Sequence, residues 1–425
     1  MSSESDFWHH IEPEPGYSRD LVADSSNNII ILCYETYFDL YDKLASNIII
    51  SKFNGTGEKL WNTKWGEHGN AFPIAITVDL EDNIYVVGTF ALSSVHQPDV
   101  IILKYSKNGI LQWSQLWGTN DMDQSRDIAV DSENSVYVSG EFYNLTEQNC
   151  DIFLLKFDAN SCFKWIRTYT ENRSESGRAL IIDSFDRIHI GASKTTYIAG
   201  NYPWDNGKYI EEACLFTYDK NGNLLNKTGW SKDSGCAVMH MNVDLNDNIY
   251  MASRGRIIKF NKNIEVLLNF SSISGTFYDI TVDNRESIYM GSNKFIDDER
   301  SFDYFIIVYD NSGNHDYNFT YGMPGFDNLK SITIDNFDNL YLLGDNQKNI
   351  SLVKNPLYVE EYTSPLEESD ESPPEEPDES PPEEPDVNGP NLALLIIGLI
   401  ISSVSAISAG FILVIFHYFK KVKVK

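Results

Sequence analysis

Short apolar runs separated by polar clusters fill most of this chain, and within the runs the pattern has period two. Ile84-Tyr85-Val86-Val87 is β-branched or aromatic and follows the polar cluster Glu81-Asp82-Asn83. That order predicts a turn and then a strand. A second apolar run, Ile74-Ala75-Ile76-Thr77-Val78, precedes the Asp79 that opens the cluster. An Asp in that place accepts hydrogen bonds from backbone N–H groups about two residues on and closes an Asx-turn. The element predicted is a hairpin of strand, Asp-led turn and strand.

The phrase recurs seven times, led by Asp24, Asp79, Asp131, Asp183, Asp244, Asp283 and Asp335, at a spacing of about fifty residues. Its copies include VDLEDNIYVVG (78–88), VDSENSVYVSG (130–140) and IDNFDNLYLLG (334–344). A second phrase follows each of the first six, as in VIILKYSKNGILQWSQLW (100–117). Asn54-Gly55, Asn108-Gly109 and Asn221-Gly222 stand where its hairpin turn is expected to need positive φ. Two hairpins per period give four strands per period, the make-up of one propeller blade. The expected fold is all-β: a seven-bladed β-propeller of four-stranded blades over residues 1–362.

The seventh copy stops early, with Ile350 to Lys354 as its third strand. Phe7-Trp8-His9-His10-Ile11 resembles the outer strand at 163–167, and pairing the two chain ends in one blade removes an exposed sheet edge. The alternative is a local fourth strand at 357–362. Trp61/Trp65, Trp113/Trp117, Trp165/Tyr169 and Tyr317/Tyr321 lie four apart and so on one strand face, as packing between blades requires.

The two phrases in this order resemble the seven-bladed β-propeller (SBBP) repeat family, whose hairpins read like DxxGNxYVTG and DxFLxKYdxxGxxxW. The resemblance covers about Tyr17 to Lys354. Here the turn Gly is replaced by Asp82, Asn134, Asp186, Asp247, Glu286 or Asp338. The resemblance implies the fold and no activity.

After Tyr362 the composition changes. ESPPEEPD occurs in tandem at 371–378 and 379–386, with nothing to bury, prolines that favour extension and charges that repel. A disordered acidic stalk is expected at 363–391. Leu392 to Phe416 has no charged residue and is long enough to cross a hydrocarbon core of about 30 Å. A transmembrane helix is expected at 392–419 and a basic tail, Lys420, Lys421, Lys423 and Lys425, at 420–425. The basic side of a span stays in the cytoplasm, which predicts a single-pass protein of the cell membrane with the propeller outside. No signal peptide precedes the first repeat, the one observation against this orientation. Gly398, Ser402, Ala406 and Gly410 form a small-residue stripe on the span, a packing surface for self-association.

The chain has a net charge of −29, which disfavours nucleic acid as a partner. Its five cysteines are dispersed without a CxxC pair. No GxSxG, HExxH or phosphate loop is present, and the turn acids alone fall short of the six to eight oxygens of a calcium site. Neither enzymatic activity nor a cofactor is expected. The alternative is a quinoprotein-type enzyme, since Lys52 to Trp61 looks like the TGxxLW turn of propellers that bind pyrroloquinoline quinone. The favoured expectation is a non-catalytic module anchored in the lipid bilayer that binds a protein or glycan. Its candidate recognition loop carries Tyr197, Tyr202, Trp204 and Tyr209, because aromatic anchors enrich at binding hot spots.

Overall fold

The computed structural model describes residues 7–354 except 39–43, 67–68, 92–97, 120–121, 145–148, 172–173, 199–207, 231–236, 274–276, 297–301, 324 and 348. The predicted stalk, apolar span with its Gly398, Ser402, Ala406 and Gly410 stripe, lysine tail and alternative strand at 357–362 lie outside the described residues. Among the described residues the regular structure is β, and no helix is long and apolar enough to cross a membrane.

The strands form five four-stranded sheets and one eight-stranded sheet. Met122–Val130, Val136–Asn144, Asn149–Phe157 and Phe163–Tyr169 are representative, paired antiparallel in chain order. The eight-stranded sheet is two such units, 17–65 and 70–117, joined by a single parallel bridge from Ser46 to Asn70. The first strand of each unit is innermost. Tyr17–Ala23, Asn70–Val78, Met122–Val130, Ser174–Ile182, Val238–Val243, Asp279–Val282 and Asp327–Ile334 each pack on the next, and the last returns to the first. The sheets therefore close into a ring around a channel, which is a β-propeller.

Closure is made by the chain ends. Trp8–Pro15 pairs antiparallel with Asn349–Lys354, Trp8 opposite Lys354 and Ile11 opposite Ser351, as expected from the truncated last repeat. Leu21, Ile31 and Cys33 of the first unit share a core with Tyr341, Leu343 and Leu352 of the last.

Each sheet is covered by a neighbour on both faces, and this sets the burial pattern. Ile84, Tyr85, Val86 and Val87 are all 0 % exposed, so the second strand is apolar throughout instead of alternating. The outer strand Leu111–Trp117 alternates from Gln112 on: Trp113 and Trp117 turn to the next blade while Ser114 and Leu116 face water. The repeat's closing glycine is a matter of space, because a Cβ on Gly140 would stand 2.1 Å from the carbonyl oxygen of Gln124. Gly109 combines two demands. Its φ is 77°, and a Cβ there would meet the ring of Trp61 at 2.8 Å. One expectation is corrected: in the first unit Gly57, with φ 83°, takes the left-handed position, not Gly55. Asn54 instead leads the turn, its side-chain oxygen accepting from the N–H groups of Thr56 and Glu58.

Candidate functional site: the turn face and the channel

The seven Asp-led turns join the first and second strands of their units and so lie on one face of the ring. In Asp79 one carboxylate oxygen accepts from the N–H groups of Glu81 at 3.1 Å and Asn83 at 2.8 Å. Asp24, Asp131, Asp183, Asp244, Asp283 and Asp335 repeat the pattern. The residue three after each Asp has positive φ, between 56° at Asp186 and 63° at Asp82 and Glu286.

Those residues stand where the SBBP pattern has glycine, and their side chains explain the exchange. Asp82 accepts from the N–H and hydroxyl of Ser25 in the preceding unit, at 2.9 and 2.8 Å. Asp186 holds Ser132, Asp247 holds Ser184, and Asp338 accepts from the N–H of Asn284. Asn27 accepts from the N–H of Asn336, so this ring of links also joins last unit to first. Asp and Asn tolerate the left-handed region better than most residues, and the bridging bonds offset what strain remains.

Beneath four of the turns the second carboxylate oxygen is served by a Tyr six residues on, with a Lys over its ring, whereas in the first unit Lys52 itself reaches Asp24 at 2.6 Å. Tyr137 donates to Asp131 at 3.0 Å, and the Lys156 ammonium lies 4.8 Å from the Tyr137 ring. The unit of residues 174–230 uses a different pair. Fully buried His189 contacts Asp183 at 3.0 Å and, through its other nitrogen, Thr217 at 3.0 Å. Burial holds the pKa of His189 below its usual value, against the pull of Asp183. Burial alone would raise Asp183, but bonds from His189 and Arg187 outweigh it and hold it at about 2.

A pH dependence follows. Below the ordinary histidine value of 6.5 the unfolded chain takes up a proton that native His189 resists, so this residue makes stability fall as pH drops. Asp183 adds a second loss as pH falls from 3.8 toward 2. The double exchange His189→Tyr with Thr217→Lys installs the Tyr–Lys pair that four other units use. Denaturant unfolding from pH 7.5 to 5.5 is expected to show a shallower loss in that variant than in the parent. An unchanged profile would mean that His189 titrates alike in both states.

The channel is lined by consecutive residues from the inner strands, because most of these strands carry a bulge there. Arg19, Ile74, Arg126, Arg178, Met239 and Lys330 are the extra residues, each followed by Asp20, Ala75, Asp127, Ala179, His240 or Ser331. A bulge sets two residues against one and re-aims their side chains. Asp20, Asp127 and Asp279 each accept from the N–H of the next residue and from an N–H of the neighbouring inner strand, namely Ile76, Leu180 and Ile332. The acids therefore tie inner strands together.

At one side of the channel these groups form a chain. His240 Nδ1 stands 2.7 Å from Asp279, and the Ser331 hydroxyl lies 2.6 Å from Asp279 and 2.9 Å from Asp20. Burial pushes Asp20 up to about 6, aided by the charge of Asp279, and pushes Asp127 up to about 7. Burial would lower His240, but Asp279, then Asp127 and Asp20, raise it to about 10. The acid sits between imidazole and hydroxyl, whereas a nucleophilic serine needs the imidazole beside it. The arrangement carries charge and cross-links strands.

Of the predicted recognition residues, Tyr197 and Tyr209 are register partners on the strands Ile188–Ile198 and Lys208–Tyr218, while Tyr202 and Trp204 lie outside the described residues. The ends of these two strands nearest Tyr197 and Tyr209 lie away from the Asp-led turns. Cys33 and Cys214 are buried in strands, and Cys150 and Cys162 are both free thiols. Among the described residues no group of three or more His, Cys, Asp or Glu is placed to hold a metal. Sequence reading missed the channel residues, although Asp20, Asp127, His240, Asp279 and Ser331 all fall four positions before a turn Asp. Reading that column across the repeats exposes polar residues in otherwise apolar strands.

No known protein-family profile matches the chain. Over 128 residues it is 31 % identical to an uncharacterized WD repeat-containing protein of Acanthamoeba polyphaga mimivirus, covering 24 % of this chain and 9 % of that protein. The chain thus spans less than a tenth of that relative's length. Among solved structures, the Dos1 propeller matches 82 % of this chain and 94 % of its own at a TM-score of 0.52 and 8 % identity. A protein of unknown function from Bacteroides caccae matches 74 % of this chain and 98 % of its own at a TM-score of 0.40 and 10 % identity. The Dos1 likeness supports the propeller fold, and at that identity the fold alone.

Proposed function

We propose that this chain is a membrane-anchored, non-catalytic interaction module. It is a seven-bladed propeller of the SBBP type, set on an acidic stalk and one transmembrane helix, that presents its face of Asp-led turns to a protein partner. The observation that carries the reading is a set of exposed apolar side chains on that face. Leu80 is 81 % exposed, Phe185 61 %, Leu245 90 % and Phe337 75 %, each one or two residues after a turn Asp. Hairpin tips ordinarily take small polar residues, as Ser25, Ser132 and Asn284 do in the other units. Large apolar side chains exposed on four of the seven turns of one face support reading that face as the docking surface. The turns beneath them are cross-linked from unit to unit, so binding costs little ordering of the backbone. Glu81 and Asp186 in the same turns favour a partner whose apolar patch has a basic rim.

Replacing Leu80, Phe185, Leu245 and Phe337 together by serine is expected to leave stability within about 1 kcal/mol of the parent, since exposed positions contribute little. Proteins captured by the parent should be lost by the variant. Capture of the same proteins by both would remove this face from consideration. The outward orientation is supported by the charge contrast across 392–416, with thirteen acids before it and four lysines after. Protease added to intact cells should cut near Pro373 to Pro385 and shed the propeller. Release only from inverted membranes would place it in the cytosol.

A further inference from the structure

The channel holds positive charge that the ring does not use. Arg126 donates to Glu141 at 2.9 Å, and Lys330 stands 3.9 Å from Asp345. Arg178 forms no ion pair among the described residues, and its Nε is buried without a hydrogen-bond partner, whereas the Arg19 guanidinium lies over the Tyr34 ring at 5.2 Å. Asp20, Asp127 and Asp279 line the same cavity and answer His240, but their oxygens are turned to backbone N–H groups, two for each acid, and none pairs with Arg178. A guanidinium left over in this way is unexpected in a chain of net charge −29, where acids outnumber bases 62 to 33. A buried donor without an acceptor is costly, and a guanidinium fork matches the paired oxygens of a carboxylate or phosphate.

These residues line one cavity of about 150 Å³ within the channel. At roughly 30 Å³ for each water in the liquid, that is room for a ligand of a few heavy atoms. We propose that the channel binds a small free oxyanion, a phosphate or short dicarboxylate, gripped by the Arg178 guanidinium, with Arg19, Arg126 and Lys330 lining the same cavity. Burial, and then the like charge of Arg126, depresses the pKa of Arg178, and burial likewise depresses that of Lys330. An anion would relieve both. The site lies inside the ring, apart from the apolar turn tips, so it can be tested without the protein partner.

The test is calorimetric titration of the full chain in detergent with inorganic phosphate, sulfate and succinate at fixed ionic strength. Saturable binding of at least one anion is expected, and preference between phosphate and succinate identifies the source of the oxygens. Arg178→Gln should weaken binding roughly tenfold or more, the loss of a charged hydrogen-bonding group. Arg178→Lys, which keeps charge but not the fork, should weaken it less, and Lys64→Gln on the exposed rim should change nothing. If Arg178→Gln does not fold, the lysine variant is decisive: weaker binding upholds the site and unchanged affinity overturns it. Absence of binding by the parent at millimolar anion, or equal binding by a folded Arg178→Gln, also overturns it.

Discussion

Replacing Trp113 by alanine is expected to lower the free energy of unfolding by about 3 kcal/mol, the low end of the range for buried tryptophan because the ring is only half-buried. Trp113 lies on an outer strand yet packs against a core shared by two blades, which holds Tyr85 and Val87 of its own unit and Ile128 and Phe153 of the next. Its ring meets Tyr85 edge-on with centroids 6.1 Å apart, and its indole N–H points at the carbonyl of Ala159 in the next blade's turn at 3.4 Å. Truncation therefore empties a joint between blades. Urea unfolding measures the effect. A loss below about 1 kcal/mol would make Trp113 a surface residue and contradict the packing described.

Asp279→Ala is expected to cost about 3 kcal/mol or more, because it strands several groups at once. The N–H groups of Ile280 and Ile332 and the hydroxyl of Ser331 lose an acceptor, and His240 loses its counter-ion. Asp279→Asn separates the charge from the shape. In the parent, the contribution of His240 is fully present below 6.5 and is lost as pH rises through about 10. In the asparagine variant this alkaline loss should flatten, and the imidazole should titrate well below its parental value by NMR. An unchanged His240 titration would mean that Asp279 is not its partner.

Much of the fold was legible because each repeat states its strands twice, once in apolar content and once in turn chemistry. The Asp at 24, 79, 131, 183, 244, 283 and 335 marks one turn per unit, and a short local loop dictates that geometry. Closure by Trp8–Pro15 was legible for a related reason: the last repeat lacks a strand that the N-terminus resembles. What could not be read depends on ring geometry. Nothing local to Asp82 shows that its carboxylate reaches Ser25, 57 residues earlier. Likewise Asp20, His240, Asp279 and Ser331 are far apart in sequence and meet only because the inner strands converge on the channel. The aromatic loop stands out in the sequence by its length and composition, whereas the exposure of the apolar turn tips follows only from the folded ring.

The most direct test of the central claim is hydrogen exchange of the full chain, alone and bound to a partner captured by the parent protein. Binding is expected to slow exchange in the turns at 79–83, 183–187, 244–248 and 335–339, with little change on the opposite face. Protection confined to the loops at 91–99, 144–149 and 198–208, or absent from the turns, would contradict it.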